Sequence, residues 1–206
     1  MSQADALRDA RSLLFVPCNR PERFAKAAAS GADAVVLDLE DSVQADDKAA
    51  ARGNLRAQWQ ELRGTGVPLV VRVNSLGTEY WTSDLETIAK LSGLAAVMVP
   101  KAESVEALKQ VLSRTDGGHV LPLIETAAGL EAVNILAAAP SVLRLVVGHI
   151  DFNDPLRPFQ IGIAGGRARR GSRQPVSDGC KACRQSQTAS RAKYRRAGVA
   201  RRPSGP

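Results

Sequence analysis

Residues 31–43 have the sequence GADAVVLDLEDSV, in which an apolar run leads directly into a group of acids. Residues 34–39 are nearly all apolar and rich in valine and leucine, which is typical of a strand covered on both faces. Asp38, Glu40 and Asp41 come at the carboxyl end of this run. The segment therefore predicts a buried parallel strand that presents carboxylates at one edge of a sheet.

The same pattern occurs six times along the chain, with a helical segment between successive strands. We predict strands at residues 12–16, 34–39, 69–73, 95–99, 120–124 and 143–147. We predict helices near residues 22–30, 46–63, 83–91, 104–113 and 127–138. Alternating elements of these lengths indicate repeated βα units on a parallel sheet.

Polar or charged groups follow nearly every predicted strand. They are Asn19 and Arg20, then Asp38, Glu40 and Asp41, then Arg72, Lys101, Glu125 and Asp151. In a (β/α)8 barrel of the TIM type all strand ends open onto one mouth, so these groups could converge on one site. A doubly wound sheet would use only those near its switch point. The pattern therefore favours an α/β protein of the (β/α)8 barrel type.

The composition changes abruptly after residue 153. Residues 1–153 carry 15 basic and 19 acidic side chains, whereas residues 154–206 carry 13 basic and 2 acidic ones. The second segment has no strand or helix periodicity. We therefore expect residues 1–153 to form a partial barrel, truncated after its sixth strand, because closure needs two further βα units. Residues 154–206 would be a basic low-complexity tail, either disordered or produced by a frameshift in a high-GC gene, which resequencing would decide.

The chain has no basic segment followed by an apolar run at its start, and no apolar stretch long enough to cross a membrane. Its three cysteines form no secreted-domain pattern, so we expect a cytoplasmic protein with no membrane partner. The tail has basic residues without interleaved aromatics, which does not favour nucleic-acid binding. His119 and His149 lack the spacing of a metal pair, and Cys180 and Cys183 have no second pair.

Six motifs resemble, in order, the HpcH/HpaI aldolase and citrate lyase beta-subunit family, the CitE-like or CoA-ester lyases. They are RSLLFVP at 11–17, GADAVVLDLEDSV at 31–43, VRVN at 71–74, VPK at 99–101, LIET at 123–126 and GHIDF at 148–152. From the first motif to the last, the resemblance extends over about three quarters of the chain. The resemblance implies a barrel of the phosphoenolpyruvate/pyruvate type, a carbon–carbon lyase dependent on Mg²⁺, and a homo-oligomer, trimer or hexamer.

Glu125 and Asp151 are the candidate metal ligands. They follow consecutive predicted strands, so their carboxylates would lie side by side at the barrel mouth. Each acid alone could equally be solvated or cap the next helix. A pair of hard oxygen ligands suits Mg²⁺, or Mn²⁺, better than zinc. The resemblance implies that this pair holds the magnesium ion and that Glu125 also contacts the substrate.

Arg72 lies in an apolar strand, where its side chain has two alternative roles. It could form a structural ion pair with Asp38 or Glu40. Its planar guanidinium could instead bind a substrate carboxylate through two parallel hydrogen bonds. The resemblance implies the second role, with Arg72 on the substrate carboxyl beside the metal.

Lys101 and the acids at 38, 40 and 41 are candidates for supporting roles. Strand alternation places Asp38 and Glu40 on one face, where they could orient Arg72, Lys101 and the waters of the metal. Lys101 could be a Schiff-base nucleophile. Nearby carboxylates would raise its pKa and keep it protonated, so an ion-pairing lysine is the favoured interpretation.

The resemblance places Phe15, Pro17, Arg20 and Arg23 where the family binds its nucleotide-bearing acyl carrier. Arg20 or Arg23 would then meet a phosphate of coenzyme A, although an exposed arginine at a helix start can be simply a surface charge. Phe15 and Arg20 are therefore the candidate cofactor-binding residues.

The function implied by the resemblance is an aldol- or Claisen-type cleavage of a carboxylated acyl-CoA or related thioester. Malyl-CoA, citramalyl-CoA and citryl-CoA are all candidate substrates. The alternative is a catalytically dead remnant of a truncated barrel. Because the predicted barrel is open and the resemblance implies a further acid from a neighbouring subunit, we expect little or no lyase activity from the chain as written.

Overall fold

The structure, a computed structural model, describes residues 2–115 and 118–148 of the 206-residue chain. Its centre is a parallel sheet in which each strand is hydrogen-bonded to the next one along the sequence. The strands are β1 Leu13–Pro17, β2 Ala34–Asp38, β3 Leu69–Arg72, β4 Ala96–Val99, β5 Val120–Ile124 and β6 Val146–Val147. This sequential order is that of a (β/α) barrel and differs from a doubly wound sheet, which reverses direction at a switch point. The predicted fold class is confirmed.

Helices follow the strands and cover one face of the sheet. They are α2 Phe24–Ala28, α3 Lys48–Gly64, α4 Trp81–Ile88, α5 Val105–Leu112, α6 Ala127–Glu131 and α7 Val133–Ala137. A short 3₁₀ helix directly precedes each of α2 and α3, at Pro21–Arg23 and Ala45–Asp47 respectively. On α3 the buried residues recur every three or four positions, so one stripe of this helix packs on the sheet.

Two apolar layers lie on the two faces of the curled sheet. The layer between sheet and helices contains Val35, Leu37 and Val71 from the strands with Leu55 and Trp59 from α3. The layer inside the curl contains the alternate strand residues, among them Val36, Val70, Met98 and Leu121. Successive strand residues point to opposite faces, which explains why these strands are apolar throughout.

An amino-terminal helix, α1 Gln3–Asp9, was not predicted from the sequence. Its first turn is closed by a capping box between Ser2 and Asp5. Leu7 of α1 and the following Ala10 are buried in the layer inside the curl. Arg144 donates a hydrogen bond to the carbonyl of Ala10 at 2.6 Å. The helix therefore covers apolar interior that the strands alone would leave open.

The carboxyl-terminal part of the described chain departs in detail from the predicted elements. The predicted helix at 127–138 is interrupted at Ala132, which ends α6 and precedes α7. The predicted strand at 143–147 is reduced to Val146–Val147, with an isolated bridge between Val120 and Val142 just before it. Within residues 2–115 and 118–148, no helix combines the length and apolar character required to span a bilayer.

Candidate functional site at the carboxyl ends of the strands

Strand register places Asp38 and Arg72 side by side. Asp38 ends β2, Arg72 ends β3, and the two residues are direct partners across the parallel pair. The Arg72 Nε donates to Asp38 Oδ1 at 2.7 Å, and Nη2 donates to Oδ2 at 2.6 Å. The two side chains are 12% and 1% exposed, respectively, so this fork is largely shielded from water.

The carboxylate of Asp38 also anchors the chain that follows it. The backbone N–H of Glu40 donates to Oδ1 at 2.9 Å, and both the backbone N–H and the hydroxyl of Ser42 donate to Oδ2. Burial alone would raise the pKa of Asp38, but these hydrogen bonds and the Arg72 guanidinium hold it below its usual value. Asp38 is therefore a charged group that shapes residues 38–42, which we call the acid loop.

Glu40 of the acid loop lies between the two cations of the site. Its Oε1 is 2.5 Å from Lys101 Nζ, and its Oε2 is 3.0 Å from Arg72 Nη1. Of these two cations, only Lys101 donates a hydrogen bond to Glu40. Burial raises the pKa of Glu40, although Lys101 and Arg72 oppose that shift. Asp41, at 3.8 and 3.9 Å from the same two cations, is 57% exposed and lies at the rim.

Lys101 connects the acid loop to Glu125 at the end of β5. It has a left-handed backbone conformation with φ of 46°, uncommon for a residue with a side chain. Its backbone N–H donates to Glu125 Oε1 at 3.0 Å, and its Nζ lies 3.7 Å from the same oxygen. Burial would lower the pKa of Lys101, but the hydrogen bond to Glu40 and the surrounding carboxylates raise it.

Glu125 is 6% exposed, and Gly148 lies directly behind it. The backbone N–H of Gly148 donates to the carbonyl of Ile124 at 2.9 Å, which fixes the glycine beside the end of β5. A Cβ at position 148 would lie 2.7 Å from Glu125 Oε2 and 3.2 Å from its Cβ. A side chain at 148 would therefore displace the Glu125 carboxylate from its present position.

The remaining candidates lie in different places, as do the histidines and cysteines that the sequence did not favour as metal ligands. Phe15 lies in the middle of β1, 43% exposed, with the Arg72 guanidinium carbon 5.1 Å from its ring centre. Arg20 instead forms an exposed pair with Glu22, at 2.6 Å. His119 precedes β5 and so lies at the opposite end of the strands from the mouth. Asp151, His149, Cys180 and Cys183 lie outside the described residues.

The charges at the mouth suit a divalent cation. Four carboxylates surround two cations: Asp38, Glu40, Asp41 and Glu125 against Arg72 and Lys101. Carboxylate oxygens are the ligands that Mg²⁺ prefers. Across residues 2–115 and 118–148 there is no group of three His, Cys, Asp or Glu side chains placed to hold a metal ion. The second predicted ligand, Asp151, lies beyond these ranges.

Sequence reasoning missed two residues that support the acid loop, Ser42 and Lys48. Ser42 donates its hydroxyl to Asp38, and Lys48 donates to the carbonyls of Leu39 and Glu40. Ser42 belongs to the GADAVVLDLEDSV motif, which offered a signal. Lys48 stands at the start of a helix rich in alanine and resembles an ordinary solvated lysine in sequence.

Sequential parallel strands with a buried charged cluster at their carboxyl ends define a (β/α)-barrel protein with its site at the barrel mouth. The model of the HpcH/HpaI aldolase/citrate lyase family matches residues 11–160, and the chain belongs to this family. The predicted family is confirmed.

Named relatives and solved structures agree with this assignment. An L-malyl-CoA/beta-methylmalyl-CoA lyase of Cereibacter sphaeroides is 36% identical over 179 residues, covering 80% of this chain and 56% of the relative. A citrate lyase beta subunit from M. tuberculosis, complexed with oxaloacetate and magnesium, superposes with a TM-score of 0.59 and 40% identity, covering 70% of this chain and 61% of that one. CitE from the same organism with magnesium, acetoacetate and coenzyme A gives a TM-score of 0.58 and 39% identity, covering 70% and 51%. The chain spans about half the length of the curated relatives it matches.

Proposed function

We propose that this chain carries the metal- and carboxylate-binding part of a Mg²⁺-dependent carbon–carbon lyase acting on a carboxylated acyl-CoA or related thioester. The observation that carries the proposal is the series of contacts from Arg72 through Glu40 and Lys101 to Glu125. All four residues lie at the carboxyl ends of β2 to β5. These contacts bring Arg72, which we propose as the carboxylate-binding cation, and Glu125, which we propose as a metal ligand, to the same mouth. A relative named L-malyl-CoA/beta-methylmalyl-CoA lyase, and a neighbouring structure complexed with oxaloacetate and magnesium, support the proposal.

Glu125, together with Asp151, would hold the magnesium ion. Glu125 supplies a buried carboxylate whose position is fixed by the Lys101 backbone N–H and the close approach of Gly148. Carboxylates exceed cations at the mouth, so a divalent ion would balance the charge that the protein leaves in excess. When bound, the ion would supply positive charge to the oxygens of the substrate.

Arg72 would bind the carboxylate of the substrate. A guanidinium has five N–H donors, and the two hydrogen bonds to Asp38 leave further donors on Nη1 and Nη2. Asp38 and the Phe15 ring hold the guanidinium plane in one orientation, so the fork is arranged before a ligand arrives. A substrate carboxylate would then compete with Glu40 for Nη1.

Cleavage of a 3-hydroxyacyl thioester produces negative charge on the substrate, which the cations of the site would stabilise. The hydroxyl becomes a carbonyl as it loses its proton, the bond between C2 and C3 breaks, and its electron pair remains next to the thioester as an enolate. Fixed positive charge stabilises such an enolate, and removal of one such donor typically costs about 2.7 to 4 kcal/mol of barrier. Lys101, protonated because of its raised pKa, adds a second fixed cation.

The test is product analysis with the protein in excess, so that slow turnover is still detected. The 206-residue chain would be incubated with Mg²⁺ and malyl-CoA, citramalyl-CoA or citryl-CoA. We expect acetyl-CoA and the matching oxo acid from at least one thioester, with loss of product in Glu125→Gln. The matched control is Glu131→Gln, an exposed acid at the end of α6. Free CoA without acetyl-CoA would indicate thioester hydrolysis. No product from any thioester would contradict catalysis by this chain and would favour the alternative, a catalytically dead remnant of a truncated barrel.

A further inference from the structure

The ammonium group of Lys48 is buried under the acid loop. The side chain belongs to the first residue of α3, and the residue is only 6% exposed. Its Nζ donates to the carbonyl of Leu39 at 2.7 Å, the carbonyl of Glu40 at 2.8 Å and Asn74 Oδ1 at 2.6 Å. The Tyr80 ring lies over the same group, 5.3 Å from Nζ to the ring centre. Three N–H donors thus meet three acceptors, two of them in the backbone of the acid loop.

Asn74 extends this contact into a buried network. Its Nδ2 donates to the carbonyl of Leu39 at 2.9 Å and to Asp84 Oδ2 at 2.7 Å, and its backbone N–H donates to the same Asp84 oxygen. Arg52 Nη1 donates to Asp84 Oδ1 at 3.0 Å. Lys48 and Arg52 are four residues apart on α3, so they lie on one face of that helix. Helix α3 therefore holds the acid loop and the segment after β3 together.

Two other roles for Lys48 fit the structure poorly. A nucleophilic lysine needs a neutral amine with a lone pair directed at substrate. Burial lowers the pKa of Lys48, but Asp38, Asp84 and Glu40 act against that shift, and all three N–H donors are engaged. A lysine that only fills space would not need three short hydrogen bonds at a buried position, where a desolvated charge is costly.

We infer that Lys48 is a positioning residue that sets the conformation of the acid loop and so holds Glu40 between Arg72 and Lys101. The inference deepens the proposed function and rests on it for its consequence at the site. The mechanical link is short: Lys48 holds the carbonyl of Glu40, and the side chain of that residue contacts both cations. The positive charge of Lys48 also lies near Asp38, Glu40 and Asp41, which favours their gathering in one loop.

The first test measures the loop itself and needs no ligand. Lys48→Met keeps the length of the side chain but removes its donors. Native-state amide hydrogen exchange would follow Glu40 and Val43, whose N–H groups donate to Asp38 Oδ1 and to the carbonyl of Glu40 in the acid loop, with Val97 of β4 as reference. We expect protection of Glu40 and Val43 to fall about tenfold or more relative to Val97, the factor for loss of a buried hydrogen bond.

The control is Leu62→Ala, which destabilises the far end of the same helix without touching the loop. Global stability of each variant, from urea unfolding, would be subtracted before protection is compared. Equal loss of protection at Glu40 and Val43 in both variants would overturn the inference, because Lys48 would then act only through overall stability.

The second test measures the site, with Mg²⁺ and oxaloacetate as probes in calorimetry of the full chain. We expect Lys48→Met to weaken oxaloacetate binding about tenfold in the presence of Mg²⁺ and Leu62→Ala to leave it unchanged. If the parent binds neither probe while the loop loosens selectively in Lys48→Met, the proposed function fails and the positioning role stands. If the parent binds both and Lys48→Met binds equally well, the positioning role fails alone.

Discussion

The guanidinium of Arg72 meets the carboxylate of Asp38 through two parallel hydrogen bonds, 2.7 and 2.6 Å long, between adjacent strand ends. The sequence left two roles open for Arg72, a structural ion pair and the binding of a substrate carboxylate. The ion pair with Asp38 and Glu40 is present, and it orients the remaining donors of Arg72 toward the mouth. The role on a substrate carboxyl stays a prediction.

Arg72→Lys should weaken carboxylate binding although it conserves the charge. An ammonium cannot form the two parallel hydrogen bonds that align Arg72 on Asp38. We expect oxaloacetate affinity in the presence of Mg²⁺ to fall about tenfold, as measured by calorimetry, with Mg²⁺ affinity unchanged. Arg56→Lys on α3, where the arginine contacts Thr87, is the control. Equal oxaloacetate affinity in parent and Arg72→Lys would make Arg72 purely structural.

Gly148→Ala should displace the Glu125 carboxylate. The added Cβ would lie 2.7 Å from Oε2, closer than real contacts allow, so the carboxylate must move. We expect Mg²⁺ affinity to fall roughly tenfold to a hundredfold, the range seen when the support of a ligand is removed. Gly53→Ala is the matched control, since a Cβ there meets nothing within 4 Å. A Gly148→Ala protein with parental Mg²⁺ affinity would show that the position of Glu125 is not critical.

The Asp38–Arg72 pair should make stability depend on pH in the acid range. The folded pKa of Asp38 lies below its unfolded value, so its charge stabilises the fold above pH ~3.9 and ceases to do so as pH falls through the folded pKa. Urea unfolding should show Asp38→Asn destabilised by about 3 kcal/mol at pH 7, with the gap narrowing only below about pH 4. A gap that stayed constant from pH 7 to pH 3 would contradict this.

Glu40→Gln should cost less stability at pH 7 than Asp38→Asn. Burial raises the pKa of Glu40, so its folded state favours the proton, and ionisation at neutral pH opposes folding. Removing that charge offsets part of the loss of the Lys101 contact. Urea unfolding of the two variants at pH 7 measures the difference, and a larger loss in Glu40→Gln would show that its ion pairs outweigh its desolvation.

The strands and the mouth were predictable because they rest on local chemistry. Apolar runs such as 34–39 mark buried strands, and the acids that follow them must lie at the strand ends in any parallel barrel. Helix α1 was not predictable in this way, because its place depends on the interior that Leu7 and Ala10 cover. Lys48 was missed for a related reason. A lysine early in a helix is usually solvated, and only the tertiary fold brings the acid loop over it.

Whether Glu125 and Asp151 hold a magnesium ion is measured by calorimetric titration of the 206-residue chain with Mg²⁺, beside Glu125→Gln, Asp151→Asn and the surface control Glu131→Gln. One monodentate carboxylate rarely holds Mg²⁺ against its hydration shell, so each site variant should lose binding. We expect one saturable Mg²⁺ site in the parent and in Glu131→Gln, and none in Glu125→Gln or Asp151→Asn. Unchanged Mg²⁺ affinity in Glu125→Gln, or no saturable site in the parent, would contradict this expectation.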